Sequence, residues 1–190
     1  MVAIRELLAN AIIHQDFSIE STHPKVEIFP DRMEISNPGS LIAKTSIDRL
    51  FGSTNPRNEL LARIMYKTHI CEDRGSGLIR ALTGIELYGL PPLKFEISPT
   101  SFKVVLFAPR NYQDMSKQER INACFQHCTL KYLSNEKMTN ATLRQRLGID
   151  EKNYSLASRI IKDALEQNKI KVGNPEIKNA KYIHYVPFYA

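Results

Sequence analysis

Apolar residues recur at helical spacing near the start of the chain. Leu7, Leu8, Ala11 and Ile12 form one stripe, which predicts a helix over about Val2–His14. The period then changes to two. Val26 and Ile28 alternate with Lys25 and Glu27, and Met33 and Ile35 flank Glu34, so two short strands are expected about a Pro30-Asp31 turn. After an irregular stretch to Pro56, Leu60, Leu61, Ile64 and Met65 mark the expected buried face of a helix over about Arg57–His69. Another helix is predicted over about Ser76–Tyr88, ended by Gly89 with prolines just beyond. Phe95 and Ile97, then Phe102, Val104 and Leu106, predict two closing strands. The expected fold class is α+β, with a mixed sheet carrying helices on one face in a two-layer α/β sandwich.

The second half has a different rhythm. Residues 110–115 read as a linker, and three helical patterns follow at about Ser116–Leu133, Asn140–Leu147 and Asn153–Gln167. Strand-like runs at Ile170–Val172 and Tyr182–Val186 close the chain. Three helices and then a β-hairpin is the order of a winged helix-turn-helix. The expected domains are therefore 1–109 and 116–190.

Composition narrows the classes. The 190 residues, 43% of them hydrophobic, suffice for one large or two small domains. No apolar run approaches the ~18 residues of a membrane span. Arg5 and Glu6 interrupt any secretory core at the N-terminus. Cys71, Cys124 and Cys128 form no Cys-x-x-Cys pair, which favours free thiols and a cytoplasmic setting. Residues 1–112 hold 13 basic and 12 acidic side chains, whereas residues 113–190 hold 13 and 8. The basic excess lies in the second module, as expected of one that meets nucleic acid.

The candidate chemistry begins at Glu6 and Asn10, four apart and so on one helical face. A carboxylate there can activate water, and an amide oxygen can ligate a magnesium ion that bridges phosphates. An ordinary amphipathic helix has the same spacing. Two glycine segments follow, Ile35-Ser36-Asn37-Pro38-Gly39 and Arg74-Gly75-Ser76-Gly77-Leu78. Free N–H groups at a glycine-flanked helix start suit phosphate, although Ser76 could equally be a plain helix cap. Arg74 could add a cation.

In this order the segments resemble the nucleotide boxes of the GHKL (Bergerat-fold) ATPases. The closer resemblance is to the branch that forms the C-terminal domain of RecG-related predicted transcriptional regulators, many with an AlbA- or Schlafen-like domain in front. It rests on Arg5-Glu6-x-x-x-Asn10-Ala11-Ile12-Ile13-His14-x-Asp16, Pro30-Asp31-Arg32-Met33-Glu34-Ile35-x-Asn37-Pro38-Gly39, Arg57-Asn58 and Gly75-Ser76-Gly77, and covers residues 1 to about 109. It implies a Bergerat-like domain truncated at its N-terminus, within a fragment of a longer protein. ATP and magnesium are the implied cofactors. Glu6 would be the water-activating base, and Asn10 the magnesium ligand. Asn37, Gly39, Arg74, Gly75, Ser76 and Gly77 would hold nucleotide, and Arg57-Asn58 would belong to a lid or simply start a helix. Three departures stand out. His14-Gln15-Asp16-Phe17 differs from the branch's His-Arg-Asp-Tyr at two positions, Asn37 stands where an acid usually accepts from the adenine amino group, and Leu41 replaces a second glycine. Hydrolysis is accordingly expected to be weak or absent. No Gly-x-x-x-x-Gly-Lys-Ser/Thr segment exists, which excludes a P-loop helicase motor in this chain.

In the second module the helix from about Asn153 is the candidate reader of double-stranded DNA. Lys152, Asn153, Tyr154, Ser155, Ser158 and Arg159 lie at its polar start, Arg144 and Arg146 on the helix before it, and Lys171, Lys178 and Lys181 in the hairpin. The expectation is a transcriptional regulator that couples adenine-nucleotide binding to DNA binding. An ATP-independent scaffold, an accessory DNA-processing factor and a slow ATPase stay open, as does pairing with a second copy of the chain.

Overall fold

The computed structural model describes residues 2–42, 50–51, 55–71, 75–176 and 182–190. The chain divides into two compact units, residues 1–85 with 93–108, and residues 86–92 with 109–190. Each is described by itself.

The first unit opens with α1 (Val2–His14), followed by β1 (Lys25–Ile28), β2 (Arg32–Pro38), α2 (Glu59–Lys67), α3 (Gly77–Leu87), β3 (Lys94–Ile97) and β4 (Ser101–Phe107). The four strands form one sheet in the order β1-β2-β4-β3, and every pairing is antiparallel, not mixed as the sequence had suggested. The hairpin through Pro30-Asp31 and the one between Ile97 and Ser101 each reverse the chain, leaving no parallel neighbours. Period-two alternation puts Ile35, Asn37, Phe102, Val104 and Phe95 on the face against which α1 packs. The other face carries an ionic ladder, with Glu34 bonded to Arg32 at 2.7 Å and to Lys103 at 2.6 Å.

Strand β2 runs on through Asn37 and Pro38 and ends just before Gly39. On α2, Met65 is buried with Leu61 and Ala62 against Ala9 and Ile13 of α1. Leu60 and Ile64 were expected on that face but are 69% and 51% exposed. The helix spans only nine residues, and Leu61, Ala62 and Met65 make its packed face, so the stripe of Leu60 and Ile64 points away.

The second unit holds α4 (Lys117–Leu133), α5 (Asn140–Leu147), α6 (Tyr154–Glu166), β5 (Ile170–Val172) and β6 (Tyr185–Pro187). Ser116 and Glu119 close a capping box at the start of α4, and Thr139 with Thr142 does the same for α5. Helix α6 packs on both α4 and α5, and β5 pairs antiparallel with β6. Met138, just before α5, bridges to Tyr185 and adds a third line of backbone to that hairpin. Cys124 and Cys128 are buried in α4, where burial pushes both thiols up, Cys128 to about 12. Among the described residues no helix is long and apolar enough to cross a membrane.

Candidate functional site

A cavity of about 150 Å³ opens in the first unit between α1, the α3 start and the inner face of the sheet. That is the size at which an apolar cavity takes one aromatic ring. Its floor is Leu7, Ile35, Phe95, Phe102 and Val104, and its polar residues include Glu6, Asn10, His14, Asn37 and Arg57. Phe95 stacks between Phe51 and Phe102, with centroids 5.8 and 5.9 Å apart. The apolar floor was not recognised as part of a site from sequence. The signal was present, because strand alternation alone aligns Phe95 and Phe102 with Ile35 and Asn37.

Glu6, Asn10 and Gly77 meet at one edge of the cavity. A methyl group at Gly77 would lie 3.2 Å from Glu6 Oε2 and 3.3 Å from Asn10 Nδ2, so an alanine there would force those side chains to give by a few tenths of an ångström. Gly75 also lines the cavity. Ser76 precedes the helix and accepts from Arg80 N–H through its carbonyl. Arg74 lies outside the described residues. Glu6 is 2% exposed, and among the described residues its Oε1 has no hydrogen-bond partner, with the Arg5 and Arg80 guanidinium groups each 3.6 Å away. Cys71 also lines the cavity, its thiol pushed up by burial and by the nearby Glu6 charge.

Asn37 and Arg57 serve the fold as well as the cavity. Asn37 Nδ2 donates to Pro38 O at 3.2 Å and to His14 O at 3.5 Å. Both neighbours are carbonyl oxygens, so the amide nitrogen must face them and the side-chain oxygen is left as an acceptor. This gives a physical reason for an amide where an acid is usual. Asn37→Asp should cost about 1–3 kcal/mol of stability by setting a carboxylate oxygen against two carbonyls. Urea denaturation of the two proteins checks this, and an unchanged midpoint would count against the packing described.

Arg57 and Asn58, expected to form a lid or simply to start a helix, stand just before α2, and Arg57 ties the 14–16 segment to Ser40. Its Nε donates to His14 O at 3.1 Å, Nη2 to Ser40 O at 2.6 Å, and Nη1 meets Asp16 Oδ2 at 3.1 Å. Asn58 adds bonds to Ile13 O and Gln15 O at 2.9 and 2.8 Å. The end of α1 thus finds partners for its last carbonyls, and a cation sits at the negative end of the helix dipole. Burial, and then the Arg57 charge, push the His14 imidazole below the ordinary histidine value. Hydrogen bonds from Ser18 hold the Asp16 carboxyl below the usual range.

In the second unit Lys152, Asn153, Tyr154, Ser155, Ser158 and Arg159 are exposed at the start of α6. Ser158 Oγ donates to Tyr154 O, and Asn140 Nδ2 reaches both Tyr154 O and Ser158 Oγ, which fixes α6 on α5. Arg144 donates to Asn140 Oδ1 at 2.9 Å and is half-buried. Lys171 is exposed and donates to Ala190 O, while Lys178 and Lys181 lie outside the described residues. Arg146 departs from expectation. Its side chain is 4% exposed, bonded to Leu90 O at 2.6 Å and beside Glu86 at 3.5 Å, so it cannot reach a phosphate. Glu86 also meets His127 Nδ1 at 2.9 Å. The helical period that seemed to point Arg146 outward overlooked the Glu86–Pro92 segment, which packs in this unit.

Three comparisons with known proteins bear on the site. The search of curated proteins gave no match. A crystal structure of the DIP2311 protein from Corynebacterium diphtheriae matches with a TM-score of 0.54 at 12% identity, over 98% of this chain and 50% of that one. At that identity the likeness is one of fold, and the chain spans about half the length of that protein. Residues 21–106 match the family described as "Putative ATP-dependent DNA helicase recG C-terminal". Within this chain, that match supports a RecG-related, ATPase-like domain.

Proposed function

We propose that the first unit binds an adenine nucleotide with magnesium, and that the second is a winged helix-turn-helix that binds duplex DNA. The chain would then be part of a transcriptional regulator in which nucleotide occupancy bears on DNA binding. The observation that carries the nucleotide reading is the meeting of Glu6, Asn10 and Gly77 beside an apolar cavity of aromatic-ring size. Asn37 offers an acceptor for a base amino group, and Gly75 and Gly77 allow phosphate close to backbone at the α3 start.

The donor set fits magnesium in the way that ion is usually held, with one or two protein oxygens and the rest from phosphate and water. Among the described residues no cluster of three acidic, histidine or cysteine side chains could hold a metal by itself. Asn10 would supply the protein oxygen, and the ion would offset phosphate charge. Asn37 in place of an acid and Leu41 in place of a second glycine support binding with very slow or no hydrolysis. Calorimetric titration of the full chain with Mg-ATP should give a saturable isotherm that Asn10→Ala weakens at least tenfold, because both ion and phosphate lose a partner. No heat at millimolar nucleotide would end this reading.

The DNA reading is supported by the exposed polar start of α6, the Met138–Tyr185 bridge beside the hairpin, and the basic excess of residues 113–190. Phosphate contacts should make binding salt-sensitive, since each neutralised phosphate releases condensed counterion. Arg159→Ala should weaken it by roughly 1–3 kcal/mol if the side chain reads a base.

A further inference from the structure

Helix α6 turns one narrow stripe outward. Ala157, Ile160, Ile161 and Ala164 are buried, whereas Ser155, Arg159 and Lys162 recur at i, i+4 and i+7 and are exposed. Polar side chains beside that stripe are spent on the fold. Asn140 Nδ2 donates to Tyr154 O at 3.0 Å and to Ser158 Oγ at 2.9 Å, and its Oδ1 accepts from Arg144 Nε at 2.9 Å. Helix α6 is thereby tied to α5 at two points one turn apart, which fixes the direction of the stripe. Arg146 is buried against Leu90 O. Arg159 is different. Among the described residues its guanidinium has no hydrogen-bond or ion-pair partner. The acid one turn further on, Asp163, is taken by Lys117 at 2.9 Å, and Lys162 lies 3.8 Å from Glu166.

The chemistry of that one free fork says which base it fits. A guanidinium carries donors only, set in a plane. On the major-groove edge guanine offers two neighbouring acceptors, N7 and O6. Adenine offers one acceptor beside a donor, thymine one acceptor beside a methyl group, and cytosine a donor. Only guanine can take both arms of the fork. Ser155, one turn nearer the helix start, has a hydroxyl that both donates and accepts, so it does not discriminate among bases. Lys152 and Lys162 are flexible point charges, which suit phosphate.

We propose that Arg159 reads a guanine through the major groove, and that this base sets the sequence preference of the chain. The proposal rests on the reading of the second unit as a binder of duplex DNA, and it names the residue and the base that give that binding its specificity. The exposed lysines of the unit then hold the phosphates and carry no sequence information.

Selection of duplexes from a random pool by the full chain tests it. One position should be guanine in nearly every selected duplex. Replacing that base by 7-deazaguanine, which pairs normally but lacks the N7 acceptor, should weaken binding by the parent protein roughly fivefold or more. Arg159→Ala should bind the unmodified duplex at least as weakly and should not distinguish it from the modified one. Its salt dependence should match the parent's, because no phosphate contact is lost. The side chain is exposed, and circular dichroism should show the variant folded. Selected duplexes without a fixed guanine would overturn the proposal, as would a guanine preference that survives Arg159→Ala. An equal loss on every sequence, with a shallower salt dependence, would make Arg159 a phosphate contact and also overturn it. No binding to any duplex at low salt would end the DNA reading itself, and the proposal with it.

Discussion

Gly39→Ala is expected to cost the first unit about 2–5 kcal/mol, from backbone strain and overpacking together. Gly39 has φ +95°, a conformation that side chains with a Cβ seldom adopt. An added Cβ would also fall 2.7 Å from Asp16 Cβ and 3.3 Å from Arg57 Nη2. Relief is difficult there, since Asp16 N–H is held by Pro38 O at 2.8 Å and Gly39 N–H by Thr100 O at 2.8 Å. Against a total of about 5–15 kcal/mol for a domain, the loss is large enough to see as a shift in the urea midpoint. Hydrogen exchange should show it in α1 and the sheet, with α4 to α6 retaining their protection. A midpoint within experimental scatter of the parent protein would mean that the Asp16–Gly39–Arg57 corner is not packed as described.

Glu86→Ala should be equally damaging, by about 3–5 kcal/mol, but in the second unit. Glu86 lies beside both Arg146 and His127, and its loss would leave the Arg146 guanidinium buried with only Leu90 O as a close partner. Burial already lowers the Arg146 pKa from the usual arginine value, while Glu86 opposes that shift. Among the described residues His127 Nε2 and Arg146 Nε are themselves buried without hydrogen-bond partners, so the cluster has little to spare. Arg146→Ala should likewise act on stability and not on DNA affinity, whereas exposed Arg159→Ala should do the reverse. Thermal melts of the three variants beside DNA titrations at one salt concentration separate the two effects. A wild-type melt for Glu86→Ala would show the cluster to be energetically idle.

The elements were readable because their periods are local. Alternation over Lys25–Ile28 and Ser101–Phe107, and the helical stripe of α1, each depend on neighbours within one segment. The approach of Gly77 to Glu6 and Asn10 was foreshadowed by the order of the boxes, since spacing on one helix face and a glycine at a helix start are both local signals. What stayed hidden was decided by distant partners. Leu60 and Leu61 look alike in sequence, yet Leu61 packs on the cluster of Ala9, Ile13 and Met65 while Leu60 is 69% exposed. Arg144 and Arg146 are both arginines of α5, and the Leu90 carbonyl determines which is buried. Arg57 read as a lid residue or a plain helix start because the His14 carbonyl it satisfies belongs to a helix more than forty residues earlier.

That last separation has a consequence for how the chain acquires its structure. Arg57 and Asn58 reach back 43 to 45 positions to hold His14, Ile13 and Gln15. Closing a loop of that length carries an entropic cost before any bond repays it, and such contacts slow folding relative to local ones. During synthesis α1 emerges before α2, and the Arg57 and Asn58 bonds to its final turn cannot form until Asn58 has left the ribosome. A nascent chain ending before Pro56 should therefore leave α1 frayed and open to protease, and one extended past α2 should protect it.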